Sequence, residues 1–416
     1  MSRIATAPTE AGPSSPGRWR TLAPTLLVLL AGFLPLALAP LRARYLGPAG
    51  RGEFAYFQAA VMVVTAAAGG GIRHAYYGQD RVGERRGELW TARLWLAALV
   101  LGALAGVPLA ATALVSLGPV VAAGVLVITV GAPLSALVQL EMAEAQLVQR
   151  QYRVAGLTSV PAVVEFVANV ALLLARSLTV ASAISVTIGS ELTRGVAAAV
   201  YHRRDGRSAS RPARDAVASA ALAKRALQYL PATLVPLVAA NVDALVYGAL
   251  GHSSPLGVYS VAKLVPTFLL LVASVWEGQF LALVEKRGVV AASVALLVPL
   301  TALGAVAAAA GSFLVEPLFG GAFAAARSAF PVTAGVGLVA ALYVWFVALC
   351  AKRRMRRVSI VSSGITLTVC LVGAVLVSST GTPSPTVMGL PVLTGYSLGL
   401  AAIIAALLRA RGRQPS

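Results

Sequence analysis

The chain has 416 residues, of which 58% are hydrophobic and 12% are charged, and its mean hydropathy is +0.81. These values exclude an ordinary soluble domain and indicate a protein with many membrane-spanning helices. The net charge of +19 would suggest nucleic acid as the partner of a soluble protein. In a membrane protein it is first a topology signal and predicts no nucleic-acid partner, because Lys and Arg collect in cytoplasmic loops.

The apolar runs begin after a polar segment. Residues 1–20 are rich in Pro, Ser and Gly, a composition that predicts a disordered tail. The next run is longer than the usual signal-peptide core, so we interpret it as a retained first span. Each predicted span is close to the roughly 20 apolar residues that a bilayer requires. The twelve spans cover residues 21–41, 54–72, 94–116, 119–140, 156–175, 179–201, 228–249, 260–283, 289–313, 330–350, 358–379 and 389–408.

Basic residues are distributed unevenly between the predicted loops. With the N-terminus inside, most of the 34 Lys and Arg residues fall in cytoplasmic segments. The bias predicts a multi-pass plasma-membrane protein with both termini in the cytoplasm. The exceptions, which this topology places in outer loops, are Arg42, Arg44, Arg51, Arg176 and Arg327.

A polar stretch in the middle of the chain separates six predicted spans from six. We therefore predict an all-α membrane protein of twelve transmembrane helices in two six-helix bundles. Repeats with an even number of spans keep one orientation, so a pseudo-twofold axis along the membrane normal should relate the bundles. The predicted units are a cytoplasmic tail, a bundle, a cytoplasmic linker, a bundle and a cytoplasmic tail, over residues 1–20, 21–201, 202–227, 228–408 and 409–416.

A Gly- and Pro-rich turn after the first span has a weaker copy after the seventh. The first reads LGPAGRGEFAYF over residues 46–57, and the second reads LGHSSPLGVYS over residues 250–260. In both, Leu-Gly opens a polar turn and a second Gly leads into a helix start that contains an aromatic residue. The copies stand at the same point of each half, which indicates an internal duplication.

Polar side chains follow one face of the eighth predicted span. Lys263, Thr267, Ser274 and Glu277 succeed each other at steps of four, seven and three residues, which places them on one side of a helix. A charge inside a bilayer usually faces a bundle interior or a wet cavity, so this face is predicted to line a cavity. The alternative is that the two charged residues snorkel at opposite ends while the hydroxyl groups bond their own backbone.

The seventh span carries Asp243, with Tyr247 on the same face. Asp243 fits either ion coupling and substrate contact or a salt bridge with Lys263 across the helix pair. Arg73 ends the second span and fits either a cavity or a positive-inside anchor. The predicted substrate-binding residues are Gln58, Arg73, Tyr247, Lys263, Ser274 and Glu277, and the predicted ion-coupling residue is Asp243.

Other polar residues receive structural interpretations. Glu191 and Arg194 are three residues apart and are predicted to form an internal ion pair, while Glu165 is predicted to contact a neighbouring helix. The chain has two cysteines, which suggest neither a disulfide nor a metal site. The sequence contains neither a phosphate-binding loop nor a spaced cluster of metal ligands. We therefore expect no ATP hydrolysis, no cofactor and no enzyme activity.

Three motifs, LGPAGRGEF, NVDALVYGALGHSSPLGVYSVAKLV and PLFGGAFAAARSAF, stand after the first span, around the seventh and eighth, and after the ninth. Together they resemble the multidrug/oligosaccharidyl-lipid/polysaccharide flippase superfamily, and within it the polysaccharide biosynthesis branch that includes O-antigen flippases. The resemblance implies a V-shaped pair of bundles around a cavity lined by spans one, two, seven and eight. It also implies that Lys263 and Arg73 neutralise a diphosphate.

The activity that the resemblance implies is transfer of an undecaprenyl-diphosphate-linked oligosaccharide from the inner to the outer leaflet. That transfer would serve the biosynthesis of cell-surface polysaccharide or lipopolysaccharide at the bacterial plasma membrane. The implied partners are the lipid-linked oligosaccharide and the bilayer, with polysaccharide assembly proteins as further candidates. Alternating access between two rocking bundles is the expected mechanism.

Other interpretations stay open. Residues 78–86, GQDRVGERR, are similar to a loop of major facilitator transporters, which also have two six-span halves. A multidrug exporter of the same superfamily is a second alternative. A membrane glycosyltransferase or polymerase should have a large outer loop with catalytic groups, whereas the longest predicted outer loops, residues 313–329 and 380–388, are short and nearly uncharged.

Overall fold

A computed structural model describes residues 18–77, 92–147, 150–206, 216–353 and 355–411. Within these ranges every regular element is helical, which satisfies the backbone hydrogen bonds of each segment internally, as a bilayer requires. The helices are α1 (Arg18–Tyr77), α2 (Ala92–Ser116), α3 (Pro119–Val130), α4 (Ala132–Leu147), α5 (Gln151–Leu174), α6 (Val180–Gly206), α7 (Ala216–Ala249), α8 (Ser253–Ala262), α9 (Leu264–Arg287), α10 (Val289–Phe319), α11 (Phe330–Lys352), α12 (Arg356–Ser379), α13 (Pro385–Met388) and α14 (Leu390–Arg411), with a 3-10 helix (Gly321–Ala329) before α11.

Eight candidate membrane spans are long and apolar enough to cross a bilayer in the described part of the chain. A ninth arises if α3 and α4, which meet at 52°, count as one broken span. The first candidate covers Leu26–Gly69 and includes most of the first two predicted spans. All twelve predicted spans lie on helices, while the number of membrane crossings stays a prediction.

The repeated turns each pivot on the glycine of their Leu-Gly pair. Gly47 interrupts α1 with φ +66°, and Gly251 follows α7 with φ +77°. Residues with a Cβ rarely adopt this left-handed region, whereas glycine enters it without a steric cost. The first glycine of each copy is therefore explained by a change of chain direction between two helices.

The second glycine of each copy is explained by a contact between the two turns. A Cβ on Gly52 would overlap the carbonyl oxygen of Ser253, and a Cβ on Gly257 would overlap that of Pro48. Each carbonyl stands four residues before the glycine of its own turn, so the contact is reciprocal, as it is around a local twofold. Glycines at such a crossing let two backbones approach closely. We call the end of the molecule that carries this crossing the turn end.

The halves α1–α6 and α7–α14 also meet away from the turns. The ring of Tyr56 fills the space above Gly248, and Gly71 lies against the backbone of Ala226. Two large buried clusters lie mainly in one half each, and both extend across the contact: Tyr247 and Tyr259 belong to the first, and Ala39 and Ala43 belong to the second. In the C-terminal half, Phe280 stacks on Trp345 at 5.4 Å between ring centroids. The indole nitrogen of Trp345 donates to the carbonyl of Ala273 at 2.9 Å, so this buried ring has its polar group satisfied.

The helices differ from several predicted spans in where they begin, end or break. The helix α6 extends to Gly206 and α7 begins at Ala216, so both helices continue into the predicted linker. The predicted eighth span is interrupted at Lys263, between α8 and α9. The predicted outer loop after the ninth span is instead the end of α10 followed by the 3-10 helix. The loop that resembles major facilitator transporters lies outside the described residues, as does most of the predicted N-terminal tail.

Candidate functional site

Lys263 joins α8 to α9 and reaches back to α7. Its Nζ donates to Asp243 Oδ1 at 2.7 Å and to the carbonyl of Ala240 at 3.1 Å. The Lys263 side chain is 23% exposed and that of Asp243 is fully buried. The salt bridge that the sequence left as one of two interpretations is therefore formed, and its cation is the member that reaches the surface.

Asp243 depends on this cation for its charge balance. Its Oδ1 also accepts the backbone N–H of Ala244 at 2.7 Å. Its Oδ2 is buried without a well-formed hydrogen bond in the described part of the chain, although the hydroxyl of Tyr259 lies close to the carboxylate. Removing one member of a buried pair typically costs several kcal/mol, because the other charge is left uncompensated. The carboxylate therefore holds Lys263 in place.

Two buried tyrosines form a wall beside the ion pair. The hydroxyl of Tyr247 donates to the carbonyl of Met388 at 3.3 Å, and the Tyr259 ring lies against Gly389. Both contacts reach the junction of α13 and α14, so the wall links α7 and α8 to the last helix. Tyr247 is fully buried, which makes it a support for the site in this conformation rather than an open contact surface.

The other predicted site residues are not brought into one cluster. Ser274 is exposed and bonds the carbonyl of Leu271 at 2.7 Å, and Thr267 bonds that of Lys263 at 2.8 Å. These hydroxyls therefore bond their own backbone, as the alternative interpretation of this face expected. Glu277 is half-buried on the same helix, and Gln58 is half-buried on α1. Arg73 lies in the last turns of α1, but its side chain is outside the described residues.

A buried arginine site in the N-terminal half was missed. Arg42, predicted to lie in an outer loop, is buried in α1 with 1% of its surface exposed. Its Nη2 donates to Glu165 Oε1 at 2.7 Å and its Nε to Asn169 Oδ1 at 3.0 Å. The guanidinium also lies 5.1 Å from the ring centre of Phe54. Glu165 thus contacts a neighbouring helix, as predicted. Its i,i+4 spacing from Asn169 was the sequence signal that two hydrogen-bond acceptors lie together on one face of α5.

The other two arginines of the first turn connect the halves. Arg51, also assigned to an outer loop, is buried in α1 and donates to Ser260 Oγ at 3.1 Å. Arg44 lies in α1 as well and donates to the carbonyl of Pro317 at the end of α10. The prediction that these arginines are loop residues is wrong, because the helices continue through the turn on both sides of Gly47. In this conformation Arg42 and Arg51 have protein partners.

A third ionic cluster lies in the N-terminal half, far from the turn end. Arg153, predicted to lie in a cytoplasmic loop, is buried in α5, and its Nη2 bonds Glu141 Oε2 at 2.5 Å. His202 Nδ1 lies 2.9 Å from the other oxygen of Glu141. The predicted pair of Glu191 and Arg194 is confirmed at 2.8 Å. No group of three or more His, Cys, Asp or Glu side chains in the described ranges is arranged to hold a metal ion.

Comparison with solved structures identifies the fold. No family model matches the sequence, and no curated protein matches it. The structure is similar to that of the lipid II flippase MurJ in an inward closed conformation, with a TM-score of 0.65, 10% identity, and coverage of 93% of this chain and 87% of that one. It is also similar to the Vibrio cholerae MATE transporter VcmN, with a TM-score of 0.56, 13% identity, and coverage of 95% and 97%.

A further match is a transporter of the same superfamily from Pyrococcus furiosus, with a TM-score of 0.53, 12% identity, and coverage of 95% and 94%. The chain therefore has the fold of the multidrug/oligosaccharidyl-lipid/polysaccharide flippase superfamily, as its motifs predicted. The similar structures are flippases and transporters, not enzymes. Identities this low do not single out a branch or a substrate.

Proposed function

We propose that this chain is a bacterial plasma-membrane flippase that moves an undecaprenyl-diphosphate-linked oligosaccharide from the cytoplasmic to the outer leaflet. The observation that carries the proposal is Lys263, a partly exposed cation held at a helix break beside the contact between the halves. A diphosphate is an anion that such an ammonium group attracts. The fold supports the same class, since the TM-score with a lipid II flippase, 0.65, exceeds that with VcmN, 0.56.

The proposed architecture is twelve spans in two six-helix bundles with both termini in the cytoplasm. The reciprocal crossing of Gly52 and Gly257 supports a twofold relation between the halves. The basic residues at the far end of the C-terminal helices support the orientation, because positive charge accumulates on the cytoplasmic side. In this assignment the turn end faces outward and is closed, which is the arrangement for loading from the cytoplasm.

The pair of Lys263 and Asp243 offers a direct way to couple binding of the cargo to binding of an ion. When the Lys263 ammonium turns toward a diphosphate, Asp243 loses its only described cationic partner. A buried carboxylate without a cation is costly, so the site would then take up a proton or a small cation. Cargo binding at Lys263 and ion binding at Asp243 would thereby favour each other, which is the reciprocity that defines coupling between sites. The membrane potential supplies about 2.3 kcal/mol per charge per 100 mV.

Transfer of a lipid-linked sugar between leaflets tests the proposed function. The purified chain is reconstituted in liposomes with a fluorescent undecaprenyl-diphosphate oligosaccharide, and a membrane-impermeant quencher reports the leaflet. We expect transfer by the wild type and its loss in Lys263→Ala. The matched control is Lys224→Ala, which removes an exposed lysine from α7 and should transfer normally. Normal transfer by Lys263→Ala would remove this residue from the site.

The ion step has its own test. Asp243→Asn should alter the dependence of transfer on pH or on the imposed cation gradient, since the carboxamide no longer titrates. An unaltered profile would assign Asp243 to structure alone.

A multidrug exporter is the second candidate function. It is favoured by the similarity to MATE transporters and by the few cations on the predicted cavity face. Efflux of a fluorescent organic cation from the same liposomes separates the two functions. Efflux without transfer of the lipid-linked sugar would replace the flippase proposal with this one.

A further inference from the structure

A cavity of about 940 Å³ lies in the C-terminal half, at the end opposite the turns. Its lining includes Val284 of α9, Val294 of α10, Phe346 of α11 and Leu407 of α14. Every described side chain of the lining comes from α9 or from later parts of the chain, so this lining is separate from the described contact between the halves. Its volume is within the range of sites that bind lipid-sized or drug-sized ligands.

The cavity is apolar inside and cationic at its mouth. Arg353 lines it just after α11 and forms no ion pair in the described part of the chain. Phe346 stands seven residues earlier, so the apolar part extends about 10 Å from the arginine along the helix. A ligand that fits must therefore be anionic at one end and hydrocarbon at the other.

The surroundings of the mouth are also basic. The ends of α9, α11, α12 and α14 converge here, as the 2.5 Å bond between Lys352 and Glu285 shows for two of them. We call this region the basic end. Its exposed basic side chains near the cavity are Lys286, Arg287, Lys352, Arg353 and Arg357. Basic pockets between helix ends at the cytoplasmic side of a membrane attract anionic lipid head groups.

One polar atom in the cavity wall has no hydrogen-bond partner among the described residues. Ser293 lines the cavity, and its Oγ is buried without a hydrogen bond to any described residue. A buried hydroxyl group normally finds a partner. Ser293 stands five residues after Gly288, where α10 begins, which is about 7 Å along the helix. The ester carbonyl of a glycerolipid lies a short distance below its phosphate, so it would accept the hydrogen bond that this hydroxyl lacks.

We propose that this cavity is a binding site for an anionic phospholipid of the inner leaflet. The phosphate binds Arg353 at the mouth, an ester carbonyl accepts a hydrogen bond from Ser293, and an acyl chain occupies the apolar part along Val294 and Phe346. The lipid remains in place rather than crossing the membrane, because the site is built within one half and shares no residue with the contact between halves. It therefore acts as a bound structural ligand.

Selective binding of phosphatidylglycerol tests this site. The full chain, delipidated in detergent, is titrated with dioleoyl phosphatidylglycerol or dioleoyl phosphatidylcholine in mixed micelles. Native mass spectrometry counts the bound lipid, and the unfolding temperature reports stabilisation. We expect one tightly bound phosphatidylglycerol and a rise in unfolding temperature that phosphatidylcholine does not produce. Arg353→Gln should weaken binding about fivefold, the effect of one basic residue at an anionic lipid surface.

Two further variants test the apolar part. Val294→Trp fills the cavity at a position that is 55% exposed, so the chain should still fold. We expect it to weaken binding of phosphatidylglycerol at least as much as Arg353→Gln does. Arg204→Gln and Val196→Trp are the matched controls on α6, where Arg204 is exposed and Val196 is 59% exposed; both should bind as the wild type does.

Four results would overturn the assignment. They are equal binding of phosphatidylcholine, wild-type binding by both cavity variants, the same stabilisation by free glycerol phosphate, and displacement of the lipid by a stoichiometric amount of undecaprenyl phosphate. The last would identify a carrier-lipid site instead. All readouts measure binding, so a failure here leaves the transfer assay of the proposed function unaffected.

Discussion

Replacing Lys263 by Met should destabilise the protein more than replacing both members of its ion pair. In Lys263→Met the carboxylate of Asp243 stays fully buried without its described cation, and only the neutral N–H of Ala244 and the nearby hydroxyl of Tyr259 face it. An uncompensated buried charge of this kind costs about 3–5 kcal/mol. In the double variant with Asp243→Asn the site is neutral, and most of that loss should be recovered. The coupling between the two positions should therefore be about 2–3 kcal/mol.

The cycle is measured as free energies of unfolding by reversible titration with a denaturing detergent, followed by tryptophan fluorescence. Lys224→Met is the control for loss of an exposed lysine and should change stability by less than about 0.5 kcal/mol. Transfer of the lipid-linked sugar is measured on the same four proteins. We expect the double variant to be folded and stable but inactive, because stability needs a neutral site whereas cargo binding needs the cation.

Two outcomes would refute this reasoning. A loss below about 1 kcal/mol in Lys263→Met would mean that Asp243 does not depend on the lysine for its charge balance. Wild-type transfer by the double variant would mean that the pair is a structural salt bridge with no contact to cargo. Loss of transfer in Lys263→Met alone decides neither question, because unfolding abolishes transfer whether or not Lys263 contacts the cargo.

Three further predictions concern the contacts that hold the helices. Gly52→Ala should destabilise the protein by about 1–3 kcal/mol in thermal unfolding, because the alanine methyl group has no room at the crossing. Gly278→Ala, at an open position on α9, should not destabilise it. Equal effects of the two variants would argue against the crossing. Glu165→Gln removes the charge that balances a buried arginine and should cost about 2–4 kcal/mol in the same assay, with wild-type stability as the contrary result. Arg153→Ala should be comparably destabilising, while Arg327→Ala, from an exposed ion pair, should stay within about 1 kcal/mol.

Helix positions and the two glycine turns could be predicted from sequence because both depend on local patterns. Runs of apolar residues identify helices in a membrane regardless of their neighbours. The Leu-Gly of each turn signals a left-handed residue, and Gly47 and Gly251 adopt that conformation. The pair of Glu191 and Arg194 is also local, since i,i+3 spacing alone brings the groups together. The sequence could not show that the second glycines of the two turns contact each other.

The site was harder to predict because it depends on tertiary contacts. Arg42 was assigned to a loop because the first apolar run ends at residue 41, yet it is buried against Glu165, which lies 123 residues away. A partner that is distant in sequence can offset the average cost of burying a charge. Counting charged residues along the sequence does not detect such a partner. The salt bridge of Asp243 and Lys263 was accessible because the two residues lie on consecutive predicted spans. The partial exposure of Lys263 was not accessible, because exposure depends on how the helices pack in three dimensions.

The distribution of charges favours a molecule whose halves move as units. Each ion pair named above lies within one half, including the pairs made by Arg42, Arg153 and Lys263. The contacts across the turn end instead join glycine backbones, and the arginines there bond the neutral oxygens of Ser260 and Pro317. Breaking a hydrogen bond between a charged and a neutral group costs about 1.5–3 kcal/mol, and water replaces the partner once the interface opens. Among the described residues, separation of the halves therefore breaks no buried ion pair, whereas distortion within either half would. This arrangement supports the proposed rocking of two bundles, because that motion breaks none of the ion pairs named above.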